Sequence, residues 1–402
     1  MLRATSSWLT VLLGALTATT ALAIDMSLPA LPTLAEVFAT TADRVQLTLS
    51  LFVLAYGIGQ LFYGPLSDRF GRRPLLLLGI ALYALAGIAC AFSPTIESLV
   101  AARFVQGLGG CAGPVLARAI VRDHHKGVRA AQMLSSMTLV FALGPMVAPF
   151  IGGFLLARLG WQAIYLSLGL FGVALTLAIW AAYAESLRMP DREAVRLSRL
   201  LGNLRGFLGH RLCVGYALVN LCVMAGLFAF ISGSPFVLIE VYGVAPARFG
   251  LYFALSAVGI MLGAFTNSRL LRRHSGERVL RLGLGCFAVA GAALLLIAWS
   301  GWGGAFPLVA PMVLYCYAQG LVMPNAVAAA MEPVPHMAGL AASLLGFTQM
   351  VAASLSGYVV NLLYNATPLP MAAVIAVMAA CAIAAYLWAV PRHSRPPNVT
   401  TL

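Results

Sequence analysis

Asp25 and Arg103 are the two charged residues that fall clearly inside long apolar runs of this 402-residue chain. A charge at the middle of a bilayer costs at least about 2.5–3.5 kcal/mol on insertion scales, so neither is decoration. Asp25 has no acidic neighbour in its run, and a carboxyl removed from water holds its proton more readily than one in solution. Such a group suits a proton carrier, picking up a proton on one side of a membrane and releasing it on the other. The alternative is a structural ion pair between Asp25 and Arg103. Both stand toward the same side of the membrane, so contact is geometrically allowed.

The remaining polar groups inside apolar runs are neutral. Asn220, Gln319, Asn325 and Gln349 are spread over the second half, with Tyr315 and Phe228 near them, and Tyr56 and Gln60 lie in the first half. Together they suit a mostly apolar cavity with a few convergent polar groups, the usual form of a small-molecule site. Each is equally suited to hydrogen-bonding between helices. No HExxH motif and no Ser–His–Asp context occurs, and GLGGCAG at 107–113 lies inside an apolar run with no strand before it, which excludes a nucleotide loop. The seven cysteines stand singly without a CxxC pair, and the six histidines fall between the runs, so neither a metal site nor a disulfide framework is supported. An enzyme or a signalling sensor would need a catalytic cluster or a sizeable soluble domain, and neither is visible.

The elements that position these groups follow from composition. Hydrophobic residues make up 61% of the chain and charged ones 9%, against roughly a quarter charged in a soluble domain. The apolar runs, each near the length of about 20 residues that spans a bilayer, are 8–28, 45–65, 74–93, 99–120, 131–156, 162–183, 211–234, 248–268, 279–299, 305–330, 338–362 and 369–390. Twelve transmembrane helices are therefore expected, the first of them an uncleaved span. The net charge of +13 is not a nucleic-acid footprint, because the basic residues are clustered between runs. With the N-terminus inside, inner segments hold 21 Lys and Arg and outer loops three, Arg44, Arg158 and Arg248. The positive-inside rule then places both termini in the cytoplasm.

The longest polar stretch, with Arg188, Asp191, Arg192, Glu193, Arg196, Arg199 and Arg205, separates six runs from six. The expected organisation is an N-terminal six-helix half at 1–184, a cytoplasmic linker at 185–210 lying on the anionic leaflet, and a C-terminal half at 211–402. GPLSDRFGRR at 64–73 and GAFTNSRLLRR at 263–273 end the second and eighth runs as degenerate copies, with Gly64 matching Gly263 and Asp68 matching Asn267. Duplicated halves around a midplane site are how many transporters are built.

Several segments resemble one family. GPLSDRFGRRP at 64–74 resembles the loop signature of the major facilitator superfamily, RFVQGLGG at 103–110 its fourth-helix signature, and GPMVAPFIGG at 144–153 the fifth-helix signature of its proton-coupled antiporters. IDMSLPALP at 24–32 is similar to the end of the first span in the Bcr/CflA-type multidrug-efflux subfamily, with Ser27 where tyrosine is usual. The resemblance implies two pseudo-symmetric six-helix bundles in a monomer of the bacterial inner membrane. It implies a conformational latch at Gly64, Asp68, Arg69, Gly71, Arg72 and Arg73, with Asp123 as partner at the inner end of the fourth helix. Asp68 is expected to face the start of helix 11, in contacts made only while the inner side is closed. It also implies that Gly144, Pro145, Pro149, Gly152 and Gly153 form a small-residue face that moves against the eighth helix. Some drug-exporting relatives carry a second acid about two turns earlier in the first helix; here that place is near Thr17, which argues against strongly cationic cargo.

The expected function is efflux of a small, mostly apolar or weakly polar drug or antibiotic in exchange for protons, with Asp25 and Arg103 at the coupling site. The proton gradient supplies the energy and no cofactor is needed; the partners are a small molecule, protons and lipid. Uptake of a nucleoside, sugar or other metabolite on the same fold is the alternative.

Overall fold

The computed structural model describes residues 7–125, 127–187, 189, 205–301, 304–334 and 338–390. Arg3, His336, His393 and, in the linker, Arg188, Asp191, Arg192, Glu193, Arg196 and Arg199 lie outside them. In lipid a backbone must satisfy its own hydrogen bonds, and the apolar runs do so as helices. In the first half these are α1 (Ser7–Asp25), α2 (Ala42–Phe70), α3 (Arg72–Ala91), α4 (Ile96–His124), α5 (Gly127–Leu159) and α6 (Trp161–Ala182). In the second they are α7 (Arg211–Pro235), α8 (Pro246–Leu270), α9 (Gly276–Ser300), α10 (Ala305–Met331), α11 (Ala338–Leu362) and α12 (Leu369–Ala389). Eleven candidate spans meet the length and hydropathy of a membrane crossing among the described residues. Helix α5 contains a shorter apolar stretch at Leu143–Leu159.

Proline punctuates the end of α1. The chain leaves that helix at Asp25 and makes a single 3-10 turn at Leu28–Ala30 and a short helix at Leu31–Val37, each with Pro in its first turn, where the missing N–H costs nothing. Within the first half α2 packs on α4, and α4 and α6 pack on α3; within the second, α8 packs on α10 and α7 on α11 and α12. The halves meet along two seams, α2 with α11 and α5 with α8. Close packing rests on small residues, as it must where no hydrophobic force draws helices together. A Cβ placed on Gly109 of α4 would come within 2.5 Å of the Tyr83 backbone nitrogen in α3. Large apolar side chains such as Leu78, Leu85, Trp180, Val289 and Trp299 remain exposed, as expected of a lipid-facing perimeter.

The two ends of the molecule differ. Arg69–Arg73, Arg122–Arg129 and Arg269–Arg281 mark one end as the basic face. At the opposite end the halves are pinned together: Gln46 of α2 donates to the Ser232 hydroxyl of α7 at 2.8 Å, and Ser354 of α11 donates to the Ser50 carbonyl at 2.7 Å. A Cβ at Gly153 would lie 2.5 Å from the Pro246 carbonyl oxygen, and one at Gly250 2.8 Å from Phe150. Nearer the basic face Gly64 of α2 has open space where a Cβ would stand. The hydrogen bonds between the halves among the described residues thus lie at the end opposite the basic face.

Candidate functional site

Asp25 is 4% exposed at the last residue of α1. Among the described residues its carboxylate takes part in no salt bridge and no side-chain hydrogen bond. Arg103 of α4 comes close without pairing with it. The wholly buried guanidinium donates to the Ala23 carbonyl at 3.1 Å, the Thr48 carbonyl of α2 at 3.2 Å and Gln106 Oε1 at 2.8 Å. Its carbon also lies 4.2 Å from the Phe52 ring centroid and 5.6 Å from that of Tyr165, so ring faces supply the remaining electrostatic support. The Ala23 bond has a local cause. Ser27 N–H turns to Ile24 rather than to Ala23 as the chain tightens into its 3-10 turn, which leaves the Ala23 carbonyl among the orphans of a helix end. Arg103 takes that orphan, and the ion pair weighed from the sequence is not formed in this conformation.

The expected cavity residues divide. In the first half the Tyr56 hydroxyl lies beside Thr20 of α1 and Gln60, and Gln60 packs against Gly346 on the α11 seam, three residues from Gln349. In the second half two expected lining residues are committed elsewhere. Tyr315 donates to the Val223 carbonyl of α7 at 3.2 Å and stands edge-on to Phe287 at 4.4 Å between centroids. Asn325 donates to Asn267 Oδ1 at 2.7 Å and to the Leu321 carbonyl, so it ties α10 to α8. Gln319 donates to the Met323 sulfur at 3.2 Å, with its Oε1 unpartnered. Asn220 is wholly buried with neither amide atom partnered among the described residues. Phe228 and Gln349 are nearly buried, at 6% and 8% exposure.

At the basic face the guanidinium of Arg72 bridges three groups: Asp68 at 2.6 Å, Asp123 of α4 at 3.0 Å and the Ser67 hydroxyl at 2.5 Å. Gly71 permits this by turning the chain at φ 99° between α2 and α3, a region closed to most residues with a Cβ. Arg73 is engaged differently, donating to the Trp180 carbonyl, while the Glu185 carboxylate accepts from the backbone N–H groups of Arg72 and Arg73. Arg69 leans over Phe70, 5.1 Å from its centroid. Gly64 makes no close approach here. The residues just before α11 that Asp68 was expected to face, 335–337, lie outside the described ones.

The small-residue motif of α5 serves two neighbours rather than one. Gly144 meets Ala21 and Gly152 meets the Met26 backbone, both in the first segment of the chain, whereas Gly153 alone meets Pro246 and Ala247 of α8. Residues 144, 148 and 152 are spaced by four and share one helix face, while 153 is turned about 100° from 152. Pro145 and Pro149 lie inside the helix, each removing a backbone donor. A further residue escaped the reading of the sequence: Arg118, counted there with the basic loop, lies inside α4, and its exposed side chain donates to the Pro114 carbonyl at 3.1 Å. The signal was its place two residues inside the apolar run at 99–120.

A family model described as Major Facilitator Superfamily matches residues 13–357. The chain belongs to the major facilitator superfamily. It is similar to the bicyclomycin resistance protein homolog of Haemophilus influenzae, 31% identical over 375 residues that cover 93% of each chain. It is 33% identical over 324 residues to the chloramphenicol resistance protein of Pseudomonas aeruginosa, covering 79% of this chain and 75% of the other. These relatives extend the likeness to the Bcr/CflA-type subfamily from the first span to most of the chain. Among solved structures a D-xylose-proton symporter superposes with a TM-score of 0.69 at 15% identity, covering 95% of this chain and 97% of that one; at that identity the likeness concerns the fold. The superfamily is one of transporters, and the chain is a multi-pass membrane protein for a small-molecule substrate.

Proposed function

We propose that this superfamily member exports small, mostly apolar or weakly polar compounds, antibiotics among them, across the bacterial inner membrane in exchange for protons. The basic face is then cytoplasmic with both termini, as the 21-to-three distribution of basic residues favours, and the structure represents the inward-open arm of an alternating-access cycle. One observation carries the coupling: Asp25 is buried without a counter-charge among the described residues while Arg103, the nearby cation, is engaged by Ala23, Thr48 and Gln106. Burial without a counter-charge favours the uncharged form of an acid, so loading and unloading of a proton is the change of state available there.

In the outward-open state Asp25 takes a proton from outside. In the inward-facing part of the cycle the proton leaves toward the cytoplasm and cargo binds. Exchanging one proton for one neutral solute moves one charge, coupled to about 2.3 kcal/mol per 100 mV of membrane potential. The names of the relatives and the antiporter-type motif on α5 support export over uptake. A single chain encloses the cleft between its own seams, which favours a monomer. Accumulation of chloramphenicol and of bicyclomycin in a pump-depleted host tests the reading. Expression of the protein lowers accumulation of at least one of them, and an uncoupler restores it; accumulation that rises on expression would establish uptake instead.

A further inference from the structure

Arg44, with Arg158 and Arg248, is one of three arginines at the end opposite the basic face, where the charge bias of membrane proteins disfavours them. In the first turn of α2 it faces Glu97 in the first turn of α4, Nη1 to Oε1 at 3.7 Å, with 63% and 70% of the two side chains exposed. That separation is beyond hydrogen-bond reach, and a pair so exposed adds little to stability. Both groups keep their hydrogen-bonding capacity for another partner.

The two charges border an open groove of about 710 Å³, lined otherwise by apolar side chains, among them Leu47 and Leu51 of α2 and Val100, Ala101, Phe104 and Val105 of α4. These positions recur at helical spacing, so each helix contributes one continuous stripe that starts at its charged residue. From Glu97 to Val105 the stripe runs about 12 Å along the helix, most of the roughly 15 Å that one leaflet contributes to a hydrocarbon core of about 30 Å. The groove is not part of a seam between the halves. Leu47 and Leu51 each follow by one residue Gln46 and Ser50, which meet the other half, and one residue turns a helix by about 100°. The groove therefore faces the perimeter, where Ala101 and Val105 are exposed.

We propose that this groove holds one phospholipid whose headgroup carries a phosphate and a primary ammonium, a phosphatidylethanolamine. Arg44 donates to the phosphate, which suits its planar fork, Glu97 accepts from the ammonium, and an acyl chain lies along the apolar stripes of α2 and α4. The site offers one charge of each sign to a headgroup that carries one of each sign. A headgroup with a phosphate alone sets Glu97 against a like charge, and a trimethylated ammonium has no N–H to give it. The site is independent of cargo and of the direction of transport; only the leaflet, the outer one, rests on the orientation proposed above.

The test uses the purified full chain in a neutral detergent and native mass spectrometry, with dioleoyl-phosphatidylethanolamine, -phosphatidylcholine and -phosphatidylglycerol offered singly at equal concentration. The wild-type protein retains the ethanolamine lipid at least about threefold more than the glycerol lipid, the scale of an exposed charge pair, with the choline lipid between them. Glu97→Gln removes that preference. Ala101→Trp fills the exposed wall of the groove without touching either charge, and it lowers retention of the ethanolamine lipid. An unchanged melting temperature shows that each variant is folded, and should Glu97→Gln fail to fold, Arg44→Gln carries the test by lowering retention of all three lipids. Equal retention of the three by the wild type, as an occupant without a headgroup would give, or a preference for the glycerol lipid would overturn the proposal. So would an ethanolamine preference that survives in Glu97→Gln, or undiminished retention in Ala101→Trp.

Discussion

Arg103 and Ala23 are joined by a 3.1 Å hydrogen bond from the guanidinium to the carbonyl, while Asp25, two residues on, is buried with no salt bridge among the described residues. The guanidinium closes the open end of α1, binds α2 through the Thr48 carbonyl, and is flanked by the Phe52 and Tyr165 rings. A cation so engaged is a fixed structural element, and in the proposed cycle the carboxyl near it is the group that exchanges protons.

Replacement of Arg103 therefore acts first on stability. Removing Arg103 leaves two buried carbonyls and the Gln106 amide oxygen without this donor, at about 1–3 kcal/mol for each that stays unsatisfied. Arg103→Met lowers the apparent melting temperature of the purified protein by several degrees. Arg103→Lys recovers only part of it, since one ammonium cannot reach both carbonyls and Gln106. Equal melting temperatures for wild type and Arg103→Met would show that the network does not hold the first half together.

At the basic face Arg72 and Asp123 act as a pair. Arg72 is 8% exposed in its side chain and Asp123 20%, so the contact is shielded from the screening that weakens surface pairs. A double-mutant cycle with Arg72→Gln and Asp123→Asn gives a coupling of at least about 0.5 kcal/mol in thermal stability; additivity of the two losses would count against the bridge.

The seal opposite the basic face offers a direct handle on alternation. Gln46 and Ser232 touch at 2.8 Å from the two halves. With cysteines at both positions, oxidation links α2 to α7 and arrests export, and reduction restores it. Undiminished export by the linked protein would mean that this end need not open.

The Asn267–Asn325 bond separates a structural from a cargo-binding role. Asn325→Leu leaves a buried amide partly unsatisfied, a loss of about 1–3 kcal/mol, and thermal unfolding registers it while the affinity for chloramphenicol stays within about twofold of wild type. A large fall in affinity with unchanged stability would return Asn325 to the cavity wall.

Much of this was legible in the residues. Run lengths and Arg clusters define the helices because lipid leaves the backbone few alternatives, and Asp25 stands out because a lone charge in an apolar run is costly. What could not be read was direction. Whether Tyr315 and Asn325 point into the cleft or into their own bundle depends on how α7, α8 and α10 rotate against one another, and a polar residue within an apolar helix suits either. The carbonyl that Arg103 serves was equally hidden, since it is freed by a 3-10 turn rather than by any side chain. Arg118 stands at the inner edge of the apolar run at 99–120, where the residues alone do not separate helix from loop; α4 continues past it to His124.

The coupling role of Asp25 is tested most directly in proteoliposomes holding wild-type protein or Asp25→Asn, loaded with radiolabelled chloramphenicol. Two rates are compared: transport driven by an imposed proton gradient, and exchange of labelled for unlabelled drug without one. Asp25→Asn loses the gradient-driven component and retains exchange. Acceleration by the gradient to the wild-type extent in Asp25→Asn would contradict the account.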